Sequence, residues 1–305
     1  MFTKFWDKVA EGLAGRWAAQ ALGPALVFWG GGVLAWACRN GWQRLLCWLA
    51  AVDNTAAYIA LAVGGLLLLA VSSAAATWLQ LTVLRLAEGY WPGLLRGPRF
   101  ALARQLEKRL RAKDKRWQEL AAVASGVPTA EQRAEYARLD AELARYPVDP
   151  RHLMPTRVGN LLRAAEEYTQ VRYGLAMGTC WPRLWLLLPE ETQNTLGEAR
   201  QRLNGTARFG LWSVLFAVWT VWAWWAVPVA LAGAVVAYWG MVSAAGVYGE
   251  LLRATFDLYR FALYEALRWP LPEGPDGEEA HGQQLSEYLF RGVGVKGMQF
   301  TVPEK

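Results

Sequence analysis

FGLWSVLFAVWTVWAWWAVPVALAGAVVAYWGMVSAAGVYG, residues Phe209–Gly249, contains no charged side chain. As one straight helix it would reach roughly 60 Å, about twice the hydrocarbon thickness of a bilayer. A stretch of that length has to double back once. Pro228 sits near its middle, just after Trp222, Trp224 and Trp225, and tryptophan favours the membrane–water boundary because its ring is apolar while its N–H seeks a partner. The pattern predicts a span over Phe209–Ala226, a turn at Val227-Pro228 and a returning span over Val229–Gly249.

Two further apolar runs lie upstream. Ala21–Ala37 is uncharged but short, and Pro24 and Gly30-Gly31-Gly32 loosen it; Ala56–Leu84 is uncharged and longer than one crossing needs, so it should tilt or extend into water. Four spans in two hairpins result, and the expected fold class is all-α.

Composition agrees with this layout. The chain has 305 residues, is 54% hydrophobic and only 19% charged, and carries 18 Trp, too apolar for a disordered chain and unlike an ordinary soluble domain. Three Cys exclude a disulfide framework, and two His leave little for a zinc site.

Orientation follows from the basic residues. Leu86–Arg208 holds 20 Lys/Arg against 14 Asp/Glu, which accounts for the whole formal charge of +6. The expected topology places this segment and both termini in the cytoplasm of a bacterium, with the spans in its inner membrane; Arg39 and Arg44 depart mildly from that rule. No cleavable signal is expected. Phe2, Phe5, Trp6, Val9, Leu13 and Trp17 recur at helical spacing, which suits a helix lying in the membrane surface or packed on the cytoplasmic region.

The segments expected are therefore an interfacial helix over 1–20, a first transmembrane hairpin over 21–91, a basic helical domain over 92–208, a second hairpin over 209–250, and a helix with tail over 251–305. Within the basic domain, a long helix from Arg99 to Val123 is followed by a break at Ser125-Gly126-Val127-Pro128. Thr129 and Gln132 then have the spacing of a capping box, and Pro147 should end that second helix at Tyr146. The first helix of this hairpin carries Arg104, Lys108, Arg109, Arg111 and Lys115. These suit anionic lipid headgroups, which attract nearby cations by about 1 kcal/mol each. A solvated basic face is the plain alternative, and nucleic acid would call for more stacking aromatics than Trp117 supplies.

Beyond the connector Tyr146–Pro150, a helix is expected over Thr156–Tyr173. Val158, Leu161, Leu162, Ala165 and Tyr168 should share its apolar face, with Asn160, Arg163, Glu167 and Gln170 on a polar one, and Arg163 and Glu167 can pair. Trp181–Pro189 is too short to cross a bilayer and suits an interfacial or core-docking role. A helix from Pro189 should run to Leu203 and end at Asn204-Gly205. After the last span, Glu250–Trp269 reads as an amphipathic helix, Glu273–Gly282 as an acidic linker and Gln283–Gly292 as one more short helix.

The motifs MPTRVGNLLRAAEEY (Met154–Tyr168), RYGL (Arg172–Leu175), WPRLWLLLP (Trp181–Pro189) and LYEALRWPLP (Leu263–Pro272) resemble a family of uncharacterised bacterial integral membrane proteins with paired spans flanking a cytoplasmic helical region. The resemblance covers the second half of the chain. It implies topology rather than chemistry, and it singles out Arg157, Asn160, Arg163, Glu166, Arg172 and Arg183 as polar motif positions.

No catalytic constellation is legible. GxGxxG, Walker A, HExxH, GxSxG and paired CxxC motifs are absent from the sequence. Cys38, Cys47 and Cys180 read as small buried hydrophobes, and His152 and His281 as solvent-facing. Neither enzyme activity, cofactor nor metal is expected. Small residues along the spans, including Gly64, Gly65, Gly233, Gly240 and Gly246, offer smooth faces for helix packing. The functional expectation is a membrane-anchored interaction or sensing protein whose helical domain binds a partner or signal through the six motif residues. The alternative is an oligomeric channel or membrane-disrupting effector gated by that domain, as in bacterial immunity. Membrane lipid and a protein partner or second copy are the expected contacts.

Overall fold

In a computed structural model the described residues are 23–51, 54–124, 126, 128–292 and 300–301. The expected helix over 1–20 lies outside them. Among the described residues every regular element is helical and none is a strand. In chain order the helices are α1 (residues 23–40), α2 (Trp42–Ala50), α3 (Thr55–Glu88), α4 (Arg96–Ala124), α5 (Ala130–Leu143), α6 (Arg157–Tyr173), α7 (Met177–Trp185), α8 (Glu190–Phe216), α9 (Ala226–Ala266) and α10 (Pro275–Arg291).

Two helices, α3 and α9, are long and apolar enough to cross a membrane. In their most apolar 18-residue windows only 11% and 22% of the residues are buried. A soluble core helix would hide that surface, whereas these helices turn it outward.

The chain forms two compact units. One comprises Met1–Leu84 with Asn204–Met241, the other Arg85–Leu203 with Val242–Lys305. In the first, an aromatic cluster of Phe28, Trp212, Phe216 and Trp219 forms the core. Glycines of the first apolar run have a packing reason: a Cβ at Gly31 or Gly32 would collide with the rings of Phe216 or Trp219. The Trp219 indole donates to the Phe28 carbonyl at 3.0 Å, so its one polar atom is satisfied inside the cluster. Gly233 abuts Ser213, and Gly240 abuts Thr206.

Four expectations about element boundaries need correction. The reversal in the Phe209–Gly249 stretch falls at Trp222–Trp225, after a 3-10 turn over Ala217–Val221. Pro228 is the third residue of α9, a position where its missing N–H breaks no helical bond. Asn204-Gly205 does not end a helix, for α8 runs unbroken from Glu190 to Phe216; one helical glycine costs only about 1 kcal/mol. Glu273–Gly282 is not a linker, because α10 opens at Pro275 and its first-turn acids Asp276 and Glu278 suit the positive end of the helix dipole. The second helix of the hairpin stops at Leu143 rather than Tyr146.

The second unit has its own core, in which Leu175, Cys180 and Leu184 around α7 meet Phe256 and Tyr264 of α9 and Leu285 of α10. Trp181 and Trp185 pack against it, so the WPRLWLLLP run docks on a protein core. The α4–α5 hairpin forms with the expected capping box, closed by Arg116–Glu135 and Lys113–Glu142 ion pairs. Helices α6 and α10 cross at two glycines. A Cβ on Gly174, whose φ of 68° also favours glycine, would strike the Glu279 carbonyl, and one on Gly282 would strike that of Tyr173.

Candidate functional site

The site is built on the start of α6. Thr156 caps the helix by accepting from the Gly159 N–H at 3.1 Å. Asn160, only 1% exposed, folds its side chain back on the preceding segment. Its Oδ1 accepts from the Met154 N–H at 2.9 Å, and its Nδ2 donates to the carbonyls of Met154 and Thr156 at 2.8 and 2.7 Å. All of its polar atoms are thereby engaged, so this motif residue braces the fold. Gly159 lets the end of α3 lie directly on this turn, and Gly89, at φ 98°, packs against Pro155. The Glu88 side chain is thus held beside α6.

Two turns further on, Glu167 is buried rather than facing solvent. Its carboxylate accepts from the backbone N–H groups of Val148 (2.6 Å) and Asp149 (3.0 Å) and lies 3.2 Å from Nδ1 of His152. Arg163 therefore does not pair with Glu167; it pairs with Glu166 at 2.9 Å, three residues on. Asp149, His152 and Glu167 bring ligand-type atoms within 4.8 Å of one another. Those atoms already have partners. The Arg151 guanidinium donates to Oδ1 of Asp149 at 3.1 Å and to Oδ2 at 2.6 Å, and holds its carboxyl down at a pKa of about 2. The group acts as a clamp that fastens the connector to α6.

Above the clamp lies a cavity of about 570 Å³, within the range typical of small-molecule sites. Charged and phenolic groups from four helices converge on it: Glu88 of α3, Arg163 and Glu166 of α6, Arg200 of α8 and Tyr248 of α9, with Tyr90 just beyond α3. Arg163 donates to the Tyr90 hydroxyl at 2.9 Å, and the Arg200 guanidinium sits 5.5 Å from the centre of the Tyr248 ring. Leu162, Met177, Trp181 and Leu252 supply an apolar wall. Burial raises the Glu88 carboxyl above the usual glutamate range; neighbouring Glu166 adds to this, and Arg200, Arg85 and Arg163 oppose it. A carboxyl shifted in this way, lining a cavity, is a common mark of a binding or reactive group.

The other motif residues are dispersed. Arg172 stands 5.7 Å from the ring centres of both Tyr168 and Tyr173 and lines a second cavity of about 760 Å³ beside the hairpin. Arg183 is exposed and donates to the Thr179 carbonyl at 2.6 Å; Arg157 is exposed. Arg104, Lys108, Arg109, Arg111 and Lys115 are all exposed on α4, Arg111 in an ion pair with Glu107. Gly64, Gly65 and Gly246 have nothing within 4 Å of a notional Cβ. Cys180 is buried, as expected, but Cys38 and Cys47 are exposed. His281 is not simply solvent-facing, since it stacks on Tyr264 and its Nε2 lies 2.6 Å from the Pro270 carbonyl oxygen.

Of the six motif residues the cavity takes two, Arg163 and Glu166. Among its other polar members, Glu88, Tyr90, Arg200 and Tyr248 escaped sequence reasoning. Glu88 and Tyr248 stand where apolar runs give way to charge, and that was the available signal; nothing marked Arg200. No protein-family model, curated protein or solved structure matches this chain.

Proposed function

We propose that this is a membrane-anchored sensing protein whose helical region takes up a small polar ligand. The observation that carries the reading is the convergence of Glu88, Arg163, Glu166, Arg200 and Tyr248 on one cavity with an apolar wall. Structural ion pairs lie mostly along a surface or within one hairpin, as Arg116 and Glu135 do. These groups come from four helices and face space. Glu88 is also the last residue of α3, so a ligand drawing on it acts directly on a helix apolar enough to be a membrane span.

The fuller topology belongs to the same proposal: four spans in two hairpins, the helical region and both termini on the cytoplasmic side of a bacterial inner membrane, and kinship with the paired-span membrane proteins that its motifs resemble. Lys108→Cys in a cysteine-free background tests the sidedness. A membrane-impermeant maleimide should leave it unlabelled in intact cells and label it after lysis, and labelling of intact cells would refute the topology.

Ligand uptake is tested with Arg163→Glu in the full chain, purified in detergent and screened by thermal shift against a library of small polar metabolites. Native melting with a lost ligand-induced shift is the expected result. An unchanged shift would remove Arg163 from the site, and failure to fold would assign it a bracing role only.

One observation favours a second reading, an oligomeric channel or membrane-disrupting effector. Gly64 and Gly65 form a smooth patch on α3 that no described residue covers, a feature suited to close approach of a second copy. Ion flux through liposomes loaded with purified protein separates the two. Absence of leakage at every protein density, with and without cell extract, would dismiss the channel.

A further inference from the structure

Arg163 has its carboxylate partner in Glu166 and a hydroxyl acceptor in Tyr90, and Glu167 has its three donors. Once these are set aside, two charges facing the cavity remain outside any ion pair among the described residues: Glu88 and Arg200. They influence one another through space, yet no salt bridge joins them. The Arg200 guanidinium stands 5.5 Å from the Tyr248 ring centre and shares a side-chain hydrogen bond with the Tyr248 hydroxyl, and a guanidinium has five N–H donors, so others remain for a carboxylate. The Glu88 carboxylate is half-buried and, among the described residues, accepts no side-chain hydrogen bond.

Charge bookkeeping narrows what can enter. An anion would gain Arg200 but face Glu88, and a cation would meet the reverse. An uncharged apolar molecule would desolvate both groups and satisfy neither, which is costly for buried charge. A molecule of zero net charge with opposite charges a few ångströms apart fits both at once. Leu162, Met177, Trp181 and Leu252 then offer an apolar and aromatic surface to whatever the charged end carries.

We propose that the cavity binds a free α-amino acid with an apolar side chain, its carboxylate on Arg200, its ammonium on Glu88 and its side chain against Trp181. This rests on the sensing reading above and names its ligand class. Arg200 is suited to its part because guanidinium matches a carboxylate through two parallel hydrogen bonds. Glu88 is suited to its part because an ammonium brought beside it replaces the water it has lost. Arg163, already paired with Glu166, holds the Tyr90 hydroxyl in place.

The test uses the full chain in nanodiscs, with L-phenylalanine and L-leucine as probes read by thermal shift and calorimetry. Three analogues each remove one feature: N-acetyl-L-phenylalanine lacks the ammonium, phenethylamine lacks the carboxylate, and glycine lacks the apolar side chain. Binding of the two amino acids, with at least tenfold weaker binding of every analogue, is expected. Glu88→Gln should weaken L-phenylalanine at least tenfold while hardly changing N-acetyl-L-phenylalanine, and Arg200→Gln should do the same for L-phenylalanine against phenethylamine. Comparable melting temperatures of both variants and the parent keep a folding defect from counting as support. Equal binding of the capped analogues, or silence from both amino acids, overturns the assignment. If another class in the metabolite library then stabilises the protein, the sensing reading survives without this ligand; if nothing does, both fall.

Discussion

Gly159 in the first turn of α6 packs directly under the backbone carbonyl of Glu88, with no room between them for a methyl group. That contact fixes where the end of α3 meets the cavity. Gly159→Ala must push the two helices apart. Overpacking of this kind costs about 1–3 kcal/mol, here toward the upper end because the obstacle is backbone. The melting temperature of the full chain should fall by roughly 5–10 °C, with weaker ligand-induced stabilisation. A variant that melts like the parent would show that the contact is loose.

The α6–α10 crossing makes a parallel prediction away from the cavity. Gly282→Ala places a Cβ against the Tyr173 carbonyl, and the loss should again be about 1–3 kcal/mol. Because α10 adds none of the cavity's charged groups, ligand affinity should change less than in Gly159→Ala at equal loss of stability. Equal losses of affinity would mean that the unit responds as one block.

Asn160 makes three hydrogen bonds within a fully packed turn. Asn160→Ala leaves the Met154 N–H and C=O groups without their partner, a penalty of about 2–4 kcal/mol. Asn160→Asp keeps the acceptor but sets a carboxylate against two carbonyl oxygens, so its defect should ease as pH falls and the acid protonates. Calorimetric melts at pH 5 and pH 7.5 check both. An Asp variant without pH dependence would contradict this geometry.

Glu88 carries a folded-state pKa above the usual value near 4.5, so the folded protein holds its proton more tightly than the unfolded chain does. Its contribution is therefore most favourable below that usual value, and it is lost as pH rises from there through the raised folded value. Glu88→Gln should melt higher than the parent at pH 7.5, by about 1–2 °C given partial exposure, and alike at pH 4. A higher melting temperature combined with lost amino-acid binding would mark Glu88 as a residue kept for its ligand at some cost in stability. A lower melting temperature at pH 7.5 would show that its interactions with Arg200 and Arg85 outweigh its burial.

Much of the helical layout was legible in the sequence, because periodicity, caps and charge-free length act over a few neighbouring residues. The Thr129–Gln132 capping box, the break before it, the all-helical class and the apolar length of α3 and α9 all belong to this kind of information. Boundaries failed where local signals were outweighed. Gly205 punctuates a sequence, yet α8 continues through it; Glu273–Gly282 resembles a linker by composition, yet Pro275 and its acids start a helix that packs through Gly282.

The cavity was another matter. Sequence proximity grouped Arg157 through Arg183, whereas the fold kept Arg163 and Glu166, turned Asn160 and Glu167 inward as braces, and recruited Glu88, Arg200 and Tyr248 from elsewhere. Which charges become partners depends on contacts between residues about 80 and 110 positions apart, set by how closely backbones approach at glycines such as Gly159. A linear pattern records which faces are greasy and where helices begin. Only the packed chain decides which two charges line a cavity without an ion-pair partner.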